Sequence, residues 1–226
     1  MNIPRLAAAL LLSCAAQQAG AIDLPGIAGA RYSVPVASMK EMRFKSTLRQ
    51  QFDFSCGSAA AATLLTHHYG VAVSEQAVFE QMYLHGDQRK IRKEGFSLLD
   101  IKRFLAAKGF QADGFKLPLQ KLIDARLPAI VLVSEKGYNH FVVIKGAAEG
   151  RILIGDPANG TRSLPREAFE QIWRNKLLFV IHGDARTPAF NRLADWRAAP
   201  HAPLGTGINR DGLSTITMAK RGPGDY

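Results

Sequence analysis

The sequence predicts an α+β fold in which a helical half is followed by an antiparallel sheet. A run of small and apolar residues begins at Cys56 and continues to a stop at Gly70, which is typical of a buried helix. Short apolar stretches separated by turn residues then follow between residues 128 and 155, which is typical of neighbouring strands. With 226 residues and 47% hydrophobic content, the chain is long enough for one core of ordinary size.

Helix-start signals recur after the helix that begins at Cys56. Ser74 can cap a second helix, and Ser97 with Asp100 forms the pattern of a capping box. Pro118 suits the first position of another helix because its ring fixes a helical φ angle. The charged stretch between the first two of these signals, residues 86–95, is predicted to be a loop. The predicted helices cover residues 74–84, 97–109 and 118–127.

The second half alternates apolar runs with turn chemistry. A turn at residues 137–139 and another at residues 156–160 contain Gly, Asn, Asp and Pro, which favour chain reversal. Consecutive strands joined by such short turns pair antiparallel. A helix over residues 165–174 precedes the last strand. The predicted strands cover residues 128–134, 140–146, 151–155 and 176–181.

Cys56 occupies a position suited to a nucleophile, at the predicted start of a helix. The N-terminus of a helix presents unpaired backbone N–H groups and a partial positive charge, which favour a thiolate and a developing oxyanion. The alternative interpretation is a small buried cysteine at the end of an apolar helix, because free cysteines are often buried. Cys56 alone leaves both interpretations open.

His140 and Asp156 supply what a cysteine nucleophile needs, a base and a group that orients the base. His140 begins a predicted strand, and Asp156 ends the next one. In an antiparallel pair the start of one strand lies beside the end of the other, so we expect the two side chains to meet. Each residue alone has a structural explanation, but the three polar residues together favour catalysis.

These residues resemble the C39 peptidases, papain-like cysteine proteases that remove double-glycine leader peptides. The resemblance covers about residues 45–182 and implies a papain-like fold whose helical half carries Cys56 and whose sheet carries His140 and Asp156. It further implies that Gln51 is the oxyanion glutamine and that cleavage follows a Gly-Gly or Gly-Ala pair. The similar stretches are Gln51-x4-Cys56-Gly57, Gly95–Ile101, Phe104–Phe110, His140–Val143 and Asp156–Gly160.

The N-terminus indicates export. Arg5 precedes a short apolar run, and Ala19-Gly20-Ala21 offers a small-residue cleavage site, so residues 1–21 are predicted to be a signal peptide. Residues 22–44 are a lead-in segment, 45–182 the peptidase domain, and 183–226 a poorly ordered tail rich in proline and glycine. We expect a periplasmic protein; the alternative is a lipid anchor through Cys14.

The remaining partner classes are expected to be few. As a stand-alone, exported form, this chain is similar to the C39-type protein of functional-amyloid secretion systems. The resemblance implies a polypeptide substrate. It also implies an association with a secretion or amyloid-export apparatus or with bacteriocin export. The net charge of +10 is spread along the chain without a nucleic-acid motif, so nucleic acid is not expected. His67 and His68 are adjacent, which is poor metal-ligand spacing, and neither a metal nor another cofactor is expected.

We also expect a monomer with no transmembrane span in the mature chain. Two alternative functions remain open at this level, a non-proteolytic module that docks leader peptides of a secretion system and an acyltransferase or amidase that uses the same triad. Loss of partner cleavage in Cys56→Ala would separate a protease from a docking module, and product masses would identify an acyltransferase.

Overall fold

The computed structural model describes residues 21–25, 31–35 and 37–200. The chain divides into two units, residues 1–41 and residues 42–226. In the first unit, strands β1 (Ala21–Pro25) and β2 (Arg31–Pro35) pair antiparallel. Helix α1 (Met39–Phe44) then follows. Residues 1–20 of the predicted signal peptide lie outside the described residues.

Helix α2 (Cys56–Thr63) begins at the predicted nucleophile and continues as a π-helical turn over Leu64–His68. All eight residues of α2 are buried. An added Cβ at Gly57 would lie 2.8 Å from the Cβ of Phe96, closer than side chains approach one another. The small residues therefore let this helix pack closely against its neighbours, as a run of alanines allows.

The remaining helices of this half have the predicted caps. Ser74 accepts a hydrogen bond from the backbone of Ala77, and Ser97 and Asp100 form a complete capping box. Each cap satisfies backbone N–H groups that a helix leaves unpaired. The helices are α3 (Glu75–His85) and α5 (Leu98–Ala107).

The charged segment predicted to be a loop is a helix, α4 (Gln88–Glu94). Asp87 caps it by accepting from the backbone N–H groups of Arg89 and Lys90, and Ile91 is its buried residue. Gly95, with φ of +79°, ends it. The loop prediction is wrong here because a single cap and a single apolar contact are enough for a short helix whose charged side chains point to solvent.

In the second unit, six strands of the described chain form one antiparallel sheet in the order β3-β8-β4-β5-β6-β7. Helices α6 (Leu119–Ala125) and α7 (Arg166–Ile172) lie between strands along the chain. Strands β3 and β7 were not among the sequence predictions. The strands are β3 (Gln111–Phe115), β4 (Ala129–Glu135), β5 (Tyr138–Ala148), β6 (Arg151–Asp156), β7 (Gly160–Pro165) and β8 (Leu178–His182).

The sheet buries both of its faces. Phe141 and Val143 of β5 pack with α2 and α5, whereas Val142 and Ile144 of the same strand pack with α6 and α7. Successive residues of a strand point to opposite faces, so one strand serves two hydrophobic clusters. Strand β5, which carries the predicted catalytic histidine, therefore lies at the centre of the fold.

The segment after residue 182 differs from the predicted tail over residues 183–200. Helix α8 (Leu193–Arg197) follows a stretch whose backbone N–H groups bond to the domain, Ala189 to the His68 carbonyl and Asn191 to the Lys145 carbonyl, each at 2.8 Å. Asp195 is buried and lies 3.2 Å from the amino group of Lys145. Tertiary hydrogen bonds and an ion pair hold this segment, although the interrupted sequence pattern favours a poorly ordered tail. Residues 201–226 lie outside the described residues.

Among the described residues, no helix combines the length and the apolar character that crossing a bilayer requires.

Candidate active site

Cys56 is the first residue of α2 and is buried. Burial raises the pKa of its thiol, and the backbone N–H groups of Phe141 and Gly57 and its own N–H oppose that effect without cancelling it. The negative charge of Asp156 raises the pKa further. The helix end alone therefore does not keep this thiol ionised, and a thiolate at Cys56 requires a nearby group that accepts the proton.

His140, near the start of β5, is the candidate for this proton acceptor. Its Nε2 atom lies 3.3 Å from Oδ1 of Asp156, and both side chains are buried. Its other ring nitrogen, Nδ1, is also buried and has no hydrogen-bond partner among the described residues. The Phe141 N–H, in the peptide group that follows His140, lies close enough to the Cys56 sulfur to lower the pKa of its thiol. The structure thus brings the three predicted residues together, with one nitrogen of the imidazole still available.

Asp156 is held in place from several sides. Its Oδ1 accepts from the backbone N–H groups of Ala158 at 2.9 Å and Asn159 at 3.1 Å. Its Oδ2 accepts from the side chains of Asn159 and Arg162, each at 3.0 Å.

These contacts determine the charge of the carboxyl group. Burial alone would raise the pKa of Asp156, but the hydrogen bond and charge of His140, with the contributions of Asn159 and Arg162, outweigh burial and hold the pKa well below its ordinary value. Asp156 is therefore a fixed anion throughout the physiological pH range, suited to orienting the imidazole.

Arg162 is a site residue that the sequence analysis missed. In the register of β6 and β7, Arg162 pairs with Ile154. Ile154 precedes Asp156 by two residues, so both side chains lie on the same face of β6. The Arg162 guanidinium also binds both carboxylate oxygens of Glu135, at 3.0 and 2.5 Å. The sequence did contain a signal for Arg162. A buried aspartate needs a cationic partner, and Arg162 is the first arginine after the turn that follows Asp156.

The two adjacent glutamines before α2 are placed differently. Gln51, predicted to be the oxyanion donor, is exposed. Gln50 is half-buried, its Nε2 donates to the carbonyls of Phe52 at 3.1 Å and Asp53 at 3.5 Å, and its Oε1 is buried without a partner among the described residues. Its backbone N–H donates to the Pro157 carbonyl at 3.1 Å, beside Asp156. The structure therefore packs Gln50, rather than Gln51, into the loop that leads to Cys56.

The part of the chain that the structure describes contains no group of three or more His, Cys, Asp or Glu side chains arranged to hold a metal ion. Cys56 is the free cysteine of this part. The chemistry that the site supports is nucleophilic attack by sulfur, assisted by an imidazole and an anion.

Comparison with known proteins agrees with this chemistry. Residues 45–185 match the peptidase C39 family. Two relatives bear the name "Probable functional amyloid protease FapD". The relative from Pseudomonas fluorescens is 39% identical over 181 residues, which are 80% of this chain and 76% of the relative. The one from Pseudomonas aeruginosa is 37% identical over 175 residues, which are 77% of each chain.

The fold is also similar to a solved structure. The peptidase domain of Streptococcus ComA, described as a bifunctional ABC transporter involved in a quorum-sensing pathway, superimposes with a TM-score of 0.51 at 24% identity. The match covers 62% of this chain and 98% of that domain. The predicted papain-like fold is thereby confirmed.

Proposed function

The chain belongs to the peptidase C39 family and is a cysteine peptidase, and from that premise we propose that it is an exported endopeptidase. Its substrate is a secreted or leader-bearing polypeptide, cleaved after a Gly-Gly or Gly-Ala pair. The observation that carries the proposal is the imidazole of His140, which contacts Asp156 through Nε2 and keeps a buried Nδ1 that has no hydrogen-bond partner among the described residues.

The residues suit acyl transfer through a thioester. His140 Nδ1 accepts the thiol proton, and the thiolate attacks the carbonyl carbon of the scissile peptide. As the C–N bond breaks, His140 returns the proton to the leaving amine, which leaves the acyl group on sulfur. Water, deprotonated by His140, then attacks the thioester and releases the acid and the thiol. Asp156 binds Nε2 and so fixes the tautomer in which Nδ1 is free to accept the proton.

Stabilisation of the tetrahedral oxyanion is assigned to the Cys56 backbone N–H and to a glutamine side chain. Gln50 is the stronger candidate because its amide is held within the loop that leads to Cys56, whereas the Gln51 side chain is exposed. The Gln50 Nε2 donates to two loop carbonyls in this structure, so one of those bonds gives way when the amide binds the oxyanion.

We expect Gln50→Ala to lower kcat by about a hundred- to a thousandfold with little change in substrate binding, since one oxyanion donor is lost. The matched control is Gln51→Ala, which should retain most of the activity. Steady-state kinetics on one peptide substrate compares the two variants. A severe loss in Gln51→Ala with an active Gln50→Ala would return the role to Gln51.

The proposed setting is the periplasm, in the maturation of a secreted fibre or a leader-bearing peptide. The predicted signal peptide and the similarity to the two amyloid proteases support it. Intact-mass measurement of the exported protein should find a chain that begins near Ile22 and carries no lipid. A lipidated N-terminal Cys14 would instead make the protein membrane-anchored.

The substrate class is tested with synthetic peptides that differ only in the two residues before the scissile bond. We expect Gly-Gly and Gly-Ala peptides to be cleaved after the pair, and Leu-Leu peptides to be resistant, with mass spectrometry of the products as the measurement. The Cys56→Ala protein is the control for contaminating proteases. Binding of a leader peptide without cleavage by the wild type would favour the docking module, and acyl transfer products would favour the acyltransferase.

A further inference from the structure

The turn between β4 and β5 places two polar side chains at the edge of the active site. Lys136 and Gly137 have positive φ angles, of 51° and 81°, as a two-residue hairpin turn requires. The turn sets Glu135 and Tyr138 opposite each other as the last pair of the β4–β5 ladder. Glu135 reaches Arg162, which contacts Asp156. Tyr138 reaches in a different direction.

The hydroxyl of Tyr138 donates a 2.7 Å hydrogen bond to the carbonyl oxygen of Asp53. Asp53 belongs to the loop of residues 50–55 that precedes Cys56, which we call the nucleophile loop. The Tyr138 ring lies 5.9 Å from the His140 ring, tilted by 43°. The side chain is 52% exposed, so burial does not account for its fixed position, and the bond to the loop does.

The nucleophile loop is thus attached to the catalytic strands at two points. At its start, the Gln50 backbone N–H bonds to the Pro157 carbonyl, next to Asp156. Three residues later, the Asp53 carbonyl accepts from Tyr138, two residues before His140. The first attachment fixes the loop to the aspartate turn, and the second fixes it to the histidine strand. The second therefore bears directly on the distance between sulfur and imidazole.

We propose that Tyr138 is a positioning residue of the peptidase: its hydroxyl fastens the nucleophile loop to the histidine strand and so sets the Cys56–His140 geometry for proton transfer. The effect on peptide hydrolysis rests on the proposed function, whereas the effect on the thiol itself does not. The position of a proton acceptor matters here because the buried thiol does not ionise readily without one.

The test is Tyr138→Phe, which keeps the ring and removes only the hydroxyl, in the full chain with Cys14→Ser so that Cys56 is the one thiol. Iodoacetamide alkylation of Cys56 is followed across pH, together with kcat, KM and the melting temperature. We expect alkylation at neutral pH to slow by about 3- to 10-fold with its midpoint shifted to higher pH, the range that one lost hydrogen bond predicts. The value of kcat should fall in parallel, with KM and melting temperature unchanged.

The control is Tyr83→Phe, which removes a tyrosine hydroxyl that accepts from Arg92 and not one that bonds to the nucleophile loop. It should leave the alkylation profile unchanged. An alkylation profile and a kcat for Tyr138→Phe within twofold of wild type would overturn the proposal. So would a loss that follows a lowered melting temperature and is reproduced by Tyr83→Phe. Absence of peptide cleavage by the wild type would refute the proposed substrate, while the alkylation measurement still decides the role of Tyr138.

Discussion

Cys56→Ala should abolish peptide hydrolysis, and His140→Ala should lower kcat/KM by about four to six orders of magnitude, because both proton transfers are lost with the imidazole. Peptide kinetics with purified variants is the measurement. His140→Ala should also move the alkylation midpoint of Cys56 above the roughly 8.5 of a free thiol. The reason is that burial raises the pKa of the Cys56 thiol, and the backbone N–H groups oppose this only in part.

Asp156→Asn provides the graded control for these two variants. The amide can still accept a bond from the imidazole, so its loss should be smaller than that of either Cys56→Ala or His140→Ala. The triad would be contradicted if Cys56 were alkylated with a midpoint near the free value in both the wild type and His140→Ala. Equal losses in Asp156→Asn and Cys56→Ala would require a different role for the carboxylate.

Removal of the chain after Arg186 should lower the free energy of unfolding by about 3–5 kcal/mol, the cost of leaving a buried charge without its partner. Lys145 is fully buried, and its amino group donates to the Ser46 carbonyl and hydroxyl, each at 2.7 Å, and lies 3.2 Å from Asp195. Truncation deletes Asp195. Urea unfolding of the truncated and full chains measures the difference, and a change below about 1 kcal/mol would show that the segment is dispensable.

This loss should depend on pH in a defined direction. Burial lowers the pKa of Lys145 to about 8 in the folded protein, although Asp195 raises it, whereas an unfolded lysine titrates near 10.4. Above pH 8 the unfolded chain therefore binds more protons than the folded one at this group, and stability rises with pH. Because Asp195 raises the pKa of Lys145, the truncated chain loses this proton at a lower pH than the full chain, so the cost of truncation should shrink as pH rises toward about 8 and stay constant above it. The double variant Lys145→Met with Asp195→Leu, which removes both charges, should lack this dependence.

Local signals were sufficient to predict much of this fold. The helix at Cys56, the caps at Ser74 and Ser97 and the strand that carries His140 depend on neighbouring residues, so the sequence predicts them directly. The meeting of His140 with Asp156 also follows from local information, because the turn between their strands is short and an antiparallel pair brings its ends together.

The features that the sequence did not predict depend on contacts between distant residues. Arg162 joins Asp156 to Glu135, which precedes Arg162 by 27 residues, and the segment around Asp195 is held by Lys145 of β5. Whether Gln50 or Gln51 is the oxyanion donor depends on which side chain turns toward the loop. The two residues are adjacent and chemically identical, so the local sequence does not distinguish them. No local pattern distinguishes these cases, since the deciding partners come from elsewhere in the fold.

The close packing of α2 determines how much change the helix that begins at Cys56 can accept. Every position from Cys56 to Thr63 is buried, and even one methyl group at Gly57 would collide with Phe96. Larger side chains in such a site force shifts of the backbone that cost about 1–3 kcal/mol. Those shifts would displace the sulfur along with the helix. Mutational tolerance should therefore be lowest in this helix, where one substitution damages stability and catalysis together, and engineering of specificity is better directed to the surrounding loops.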